Sequence, residues 1–195
     1  IIPILNSINE IKKFKRKNIK FGIHIDTGIN RLGLESIELI KNLSKNKNLV
    51  IVLSHLASAD EKNNEYNLLQ NKKFKKIKNI FNNKKIIFSL ANSMGLVLGD
   101  QFHYDLIRPG IALYGGHHDN NKLKKIIKPV IKLKAQILQI KKISKNEYIG
   151  YNQTYKTYQN TKVAIVGLGY GDGYPRNLSN KGFLYRMSER YKILG

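Results

Sequence analysis

A chain of 195 residues can bury one large core or two smaller ones. Its 35 Lys and Arg against 13 Asp and Glu leave a formal charge of +22, yet only six of the cations are arginines, and the lysines mix with asparagine and isoleucine over every segment. A groove for nucleic acid concentrates Arg beside stacking aromatics, so this dilute charge reads as a solvated lysine surface and argues against such a partner. Zero Cys excludes disulfides and thiolate metal sites, in keeping with a reducing compartment, and no apolar run reaches the ~20 residues of a membrane span. The sequence starts at Ile1 and stops at Gly195 directly after an apolar run, and is therefore expected to be a fragment cut at both ends.

Leu5, Ile8, Ile11 and Phe14 recur every three residues within 5–17 and predict an amphipathic helix. FGIHID (21–26) predicts a buried strand, Ser36 to Asn46 a helix through Ile37, Ile40 and Leu43, and LVIVLSH (49–55) a second, β-branched strand. Glu61 to Phe81 predicts a lysine-faced helix with Tyr66, Leu69, Phe74, Ile77 and Phe81 inward. KIIFSLANS (85–93) follows as a strand, and DLIRPGIALYGG (105–116) as the next. Strands that are apolar throughout and separated by helices argue for a parallel sheet covered on both faces, either half of a β/α barrel or an open doubly wound sheet. After Gly116 the period changes: 128–143 alternates through Val130, Leu133, Ala135, Ile137 and Ile140, predicting a long half-exposed antiparallel strand. Residues 162–170 and 183–187 continue that way without a helix, so a domain boundary is expected within His117 to Lys128, dividing 1–127 from 128–195.

Parallel β/α architectures gather their active sites at the C-terminal ends of the strands. Those ends carry Asp26, Thr27 and Arg31, then His55, then Asn92 and Ser93, then Arg108 with Gly110 and Ile111. Two Arg, one His and a Ser beside backbone amides suit an anionic ligand and a proton-handling centre. Each has a plainer reading too. His55 alone reads as a structural histidine, Ser93 as a turn or cap residue, and Arg108 as a strand-edge cation paired with a carboxylate such as Asp105, since a buried unpaired cation is too costly. The run GLGYGDG (167–173) lacks the G-x-G-x-x-G spacing, and Pro175 stands where a helix would begin, so a glycine-rich turn is expected. HHDNNK (117–122) reads as a polar surface connector, its paired His lacking the spacing of a metal site.

Six stretches taken together, HIDTGINRLGLE (24–35), SHLASAD (54–60), LANS (90–93), LIRPGIALYG (106–115), IGYNQTY (149–155) and GLGYGDGYPR (167–176), resemble the alanine racemases, pyridoxal-phosphate enzymes built from a barrel and a β-domain. The resemblance runs along essentially the whole chain. It implies an α/β fold, the C-terminal half of a TIM-type (β/α)8 barrel followed by the first part of a mostly antiparallel β-domain. It also implies interconversion of L-alanine and D-alanine with pyridoxal 5′-phosphate, supplying D-alanine for peptidoglycan, in a cytoplasmic homodimer whose active site is shared across the interface. A small amino acid would be its substrate, with no nucleic acid, membrane or metal involved, and the Schiff-base lysine would lie upstream of Ile1.

By the same resemblance Arg108 faces the cofactor's ring nitrogen, and Ser93 with the backbone amides of Gly110 and Ile111 holds its phosphate. Arg31 stands near the phenolic oxygen and the substrate carboxylate. Tyr151 is the catalytic base, supplied to the partner's barrel. Tyrosine ordinarily titrates near ~10, and a Tyr151–His55–Arg108 chain would provide positive potential that favours phenolate. Without the family, Tyr151 reads as a packing residue like Tyr148 and Tyr155. One position departs from the pattern: the family commonly has a lysine, often carbamylated, seven residues before the arginine, and here stands His24. It is expected to donate to an anion or to the neighbours of Arg31, or else to leave the arginine more loosely held. Three other readings compete: a racemase of the same fold acting on serine or another amino acid, a non-catalytic pyridoxal-phosphate-binding protein, which would lack the segment after Lys128, and a basic nucleic-acid-binding protein.

Overall fold

The computed structural model describes residues 1–14, 18–81, 85–117 and 120–195, which divide into two compact units, Ile1–Ile131 and Lys132–Gly195. In the first unit the order is β1 (Ile4–Leu5), α1 (Ile8–Phe14), β2 (Phe21–His24), α2 (Ile37–Ser44), β3 (Leu49–Leu53), α3 (Glu65–Ile80), β4 (Ile87–Ser89) and α4 (Asn121–Ile126). The strands form one sheet, β1-β2-β3-β4, parallel throughout. Side-chain oxygens cap the helices: Ser36 Oγ accepts from Leu39 N, and Asn64 Oδ1 from Tyr66 N. The predicted end of the first helix, 15–17, lies outside the described residues.

Register sorts the sheet into two faces, because neighbouring partners point the same way and successive residues alternate. Leu5, Ile23, Val52 and Phe88 fall on one face and belong to the same buried cluster as Ile11, Ile40, Leu43, Phe74 and Ile77 of the helices. Phe74 meets Phe88 and Tyr104 edge-on, with ring centroids 6.2 and 5.0 Å away. Each such fully buried apolar side chain contributes roughly 1.5–3 kcal/mol. The opposite face carries Ile4, Gly22, His24, Ile51, Leu53, Ile87 and Ser89. Here Ile87 is exposed.

Three expectations change. On α3, Leu69 is exposed and Gln70 is fully buried, as are Asn67 and Asn71. The inward stripe runs through 67, 70, 74 and 77, and its polar members persist because they bond: Asn67 Nδ2, for example, donates to Ser58 O and Glu61 O. Residues 105–116 do not form a strand. Asp105 N and Leu106 N both donate to Phe88 O, Arg108 N donates to Ala91 O, and the chain then coils into a 3-10 turn, Ile111–Tyr114. The segment thus runs beside β4 with irregular pairing, and Pro109 has no N–H to continue it. The connector expected at 117–122 gives its last residues to α4, where Asn120 Oδ1 accepts from Lys122 N and Leu123 N.

In the second unit come β5 (Ile137–Ile143), β6 (Tyr148–Ile149), β7 (Tyr155–Lys156), β8 (Thr161–Val166), β9 (Phe183–Arg186) and β10 (Glu189–Lys192). They pair antiparallel as β5 with β8, β6 with β7, and β9 with β10. Only the second half of the alternating run 128–143 is strand; its first half finds no ladder partner among the described residues. Alternation becomes structure only where a neighbour takes the backbone groups. The glycine run 167–173 contains a 3-10 turn, Tyr170–Asp172, with no α-helix after it among the described residues. Thr157 is fully enclosed: its N–H donates to Glu147 O, its carbonyl accepts from Asn146 N, and its hydroxyl bonds Glu147 N and Ser144 O. No helix among the described residues is long and apolar enough to cross a membrane.

Candidate active site

The chain leaving β2 folds back on it. Leu34 N donates to His24 O and Asp26 N to Leu34 O, closing a loop whose interior is tied by the Asp26 carboxylate, which accepts from Gly28 N at 2.7 Å and Asn30 N at 3.2 Å. Tyr66 Oη reaches over from α3 to donate to Gly28 O at 2.8 Å. Gly33 has φ +126, and a Cβ there would stand 2.6 Å from Asp26 N, so the closure requires glycine. Arg31 sits on this loop, exposed and with no hydrogen-bond or ion-pair partner among the described residues.

Past the end of β4, Ser93 is buried and its Oγ accepts from Gly110 N at 2.8 Å and Ala112 N at 3.2 Å. Arg108 lies over the face of the sheet that holds Ser89: Nη1 donates to Ser89 Oγ, and Nη2 donates to Ser54 O at 2.5 Å. The carboxylate expected to neutralise it is occupied elsewhere, since Asp105 accepts from Phe88 N at 2.8 Å. The plain reading of an Arg108–Asp105 pair is therefore replaced by a guanidinium held by two neutral oxygens from adjacent strands. Burial lowers its pKa, but a guanidinium keeps its proton at any physiological pH.

His55, Asn92, Ser93, Arg108, Gly110 and Ile111 line a single cavity of about 300 Å³. His55 titrates at about 4, lowered first by burial and then by the charges of Arg108, Arg31 and His24. Its ring is neutral at physiological pH, so the positive potential expected of the Tyr151–His55–Arg108 chain resides on the arginines alone. His55 Nε2 lies 3.5 Å from Asn92 Nδ2, and the bonds of Arg108 go to the two serines. A larger cavity of about 640 Å³ lies between the starts of α1 and α2 and contains none of the candidate residues. No cluster able to hold a metal occurs among the described residues.

Of the alternatives for His24, donation to an anion is not seen, while Arg31 has no partner among the described residues. His24 is buried, in register with Leu53 and Ser89, with Nδ1 3.0 Å from Asn6 Oδ1. Asn6 Nδ2 donates to Ile4 O, which orients the amide with Oδ1 toward the ring and places the imidazole proton on Nδ1. Nε2 is then a buried lone pair with no partner among the described residues. Burial first, then Arg108, lower the pKa of the ring. In this tautomer the free nitrogen of His24 is an acceptor without a partner among the described residues, and so does not donate to an anion.

Tyr151 belongs to the second unit. It opens a 3-10 turn, Tyr151–Gln153, directly after β6, and is 81% exposed, with Gly150 at φ +82 setting the corner.

Residues 2–118 match the family described as alanine racemase, N-terminal domain, and residues 130–195 that described as alanine racemase, C-terminal domain. The chain belongs to the alanine racemase family. The alanine racemases of Rickettsia canadensis and Rickettsia bellii are both 41% identical to it, over 206 and 207 residues, covering 100% of this chain and 56% and 50% of their own. The crystal structure of alanine racemase from Bartonella henselae, with covalently bound pyridoxal phosphate, superposes with a TM-score of 0.78 at 35% identity, covering 100% of this chain and 56% of that one. The alanine racemase from Acinetobacter baumannii gives 0.82 at 28% identity over 98% of this chain and 56% of its own. The chain thus spans about half the length of these relatives. Its parallel sheet with flanking helices is part of the barrel of the alanine racemase fold, and its antiparallel pairs are part of the β-domain.

Sequence reasoning missed Ser54, Ser89 and Gln70. For Ser89 a signal existed, a hydroxyl that interrupts an otherwise apolar strand, whereas Ser54 reaches Arg108 only through its carbonyl. Gln70 also left a trace, four residues before Phe74 on the inward stripe, but Leu69 beside it took the assignment.

Proposed function

We propose that the complete protein is a cytoplasmic, homodimeric alanine racemase that uses pyridoxal phosphate and supplies D-alanine for the cell wall. The observation that carries this is Arg108, a half-buried cation with no carboxylate partner among the described residues, lying in one cavity with His55, Ser93, Gly110 and Ile111.

The cavity suits a phosphorylated pyridine. Its volume is at the lower end of small-molecule pockets. Beside Gly110 the space a Cβ would take is open, with nothing within 4 Å. Ser93 Oγ accepts two amide protons and so keeps its own for donation. The N–H of Ile111, first in its turn, has no use within that turn. These groups would hold the phosphate, and Arg108 would face the ring nitrogen.

Bound there, pyridoxal phosphate supplies the electron withdrawal that acidifies the α-proton of an amino acid. Arg108 only donates hydrogen bonds, so opposite a ring nitrogen it leaves that nitrogen unprotonated and the withdrawal weaker than a carboxylate would make it. Weaker withdrawal favours return of the proton to Cα, which is racemisation. Arg31, free on its loop, suits bidentate recognition of the substrate carboxylate. Tyr151 of the partner subunit removes or returns the Cα proton on one face. His55, neutral beside Arg108, positions that phenol without adding charge, and the two arginines stabilise its deprotonated form. Tyr151→Phe in the complete protein should lower racemisation of alanine at least ~10³-fold while the absorbance of bound cofactor survives; wild-type turnover in this variant would sink the assignment.

A further inference from the structure

Gln70 stands on α3, behind the ends of the strands, and its carboxamide is fully buried. Three hydrogen bonds use it. Oε1 accepts from Ala57 N at 2.8 Å, and Nε2 donates to His55 O at 3.0 Å and to Thr27 Oγ1 at 3.3 Å. Residues 55 and 57 lie past the end of β3, so the amide supplies the backbone partners that a neighbouring strand no longer does. Thr27 and Ser54 are also buried, with their hydroxyls 2.7 Å apart. Since Thr27 accepts from Gln70, its own proton is free for Ser54 Oγ. Ser54 in turn offers its carbonyl to Arg108 Nη2.

We propose that Gln70 is a positioning residue of the active site: it clamps the backbone from the His55 carbonyl to the Ala57 amide and, through Thr27, steadies Ser54, thereby fixing where the imidazole and the guanidinium of Arg108 stand. The proposal rests on the racemase reading above. Glutamate at this position keeps the shape and the acceptor for Ala57 N. It also sets a carboxylate oxygen against His55 O, acceptor against acceptor, and has nothing to donate to Thr27, whose proton turns toward it and away from Ser54.

The complete protein loaded with pyridoxal phosphate tests this. Gln70→Glu should lower kcat for alanine by about 10- to 100-fold, the scale of a small displacement of a catalytic group, with KM changed by less than about twofold. The cofactor-free protein, titrated with pyridoxal phosphate and followed by absorbance, should bind several-fold more weakly because the partner of Arg108 has moved. Thr27→Val should shift both quantities in the same direction, and Thr27→Ser, which restores the hydroxyl, should recover them. If Gln70→Glu lowers only the melting temperature and leaves kcat and cofactor affinity at wild-type values, the residue is packing alone and the proposal falls. Should Gln70→Glu fail to fold, the two Thr27 variants decide: equal turnover and equal affinity would overturn the clamp. A wild-type protein that does not racemise alanine would remove the proposed function, while the affinity comparison would still judge Gln70.

Discussion

His55 owes its neutral state to burial and then to Arg108. The guanidinium has no counter-ion within the described residues and is stabilised by two neutral acceptors, so its field falls on the His55 and His24 imidazoles and adds to the effect of burial. An unfolded imidazole takes up a proton below about pH 6.5, whereas His55 in the folded chain does so only below about 4. Between these values the unfolded state binds the extra proton, so stability falls as pH is lowered through the window and the loss is complete below about 4. His24, whose pKa is also lowered, acts with the same sign. The melting temperature of the wild type should therefore drop further than that of His55→Asn as pH goes from about 7 to about 4.5; parallel curves would contradict a depressed His55. The same pair explains what was legible at this scale. Arg108 and His55 could be chosen as strand-end residues and Ser89 left a trace as a hydroxyl in an apolar strand, but the Ser54 acceptor could not be read, because a main-chain carbonyl has no signature and Asp105 was the nearer carboxylate in sequence.

Among the elements, the loop 26–34 carries Arg31, for which substrate recognition is proposed. Its closure depends on Gly33, where both the positive φ and the approach to Asp26 N forbid a side chain. Gly33→Ala is expected to cost ~1–3 kcal/mol, the range for a strained backbone position. Thermal unfolding would read that cost, together with weaker substrate binding as Arg31 shifts; an unchanged melting temperature would mean that the loop relaxes freely. Strands β2, β3 and β4 were legible because each is a continuous apolar run, as a buried parallel strand requires. β1 was not, being two residues long and below any period. The approach to Arg108 read as a strand for the same apolar reason, yet its pairing with β4 is too irregular for one. Residues 128–135 show the reverse failure: the period was right and the partner was missing.

Across the whole molecule the net charge of +22 stays diffuse, and no function follows from it. The division of apolar burial is more telling. Every buried hydrophobic side chain lies in Ile1–Ile131, whereas Leu133, Leu138, Ile140, Tyr185 and Met187 of the second unit are exposed. Residues 132–195 produced alone should therefore show no cooperative thermal transition; a sigmoidal melt would overturn this reading. What order that unit has just before β6 owes much to Thr157, whose five hydrogen bonds gather residues 144–147. Apolar groups raise the heat capacity when water reaches them, and polar groups lower it. A calorimeter should accordingly assign nearly all the heat-capacity increment of unfolding to the first unit, while the polar cluster around Thr157 would loosen with a small increment or even one of opposite sign.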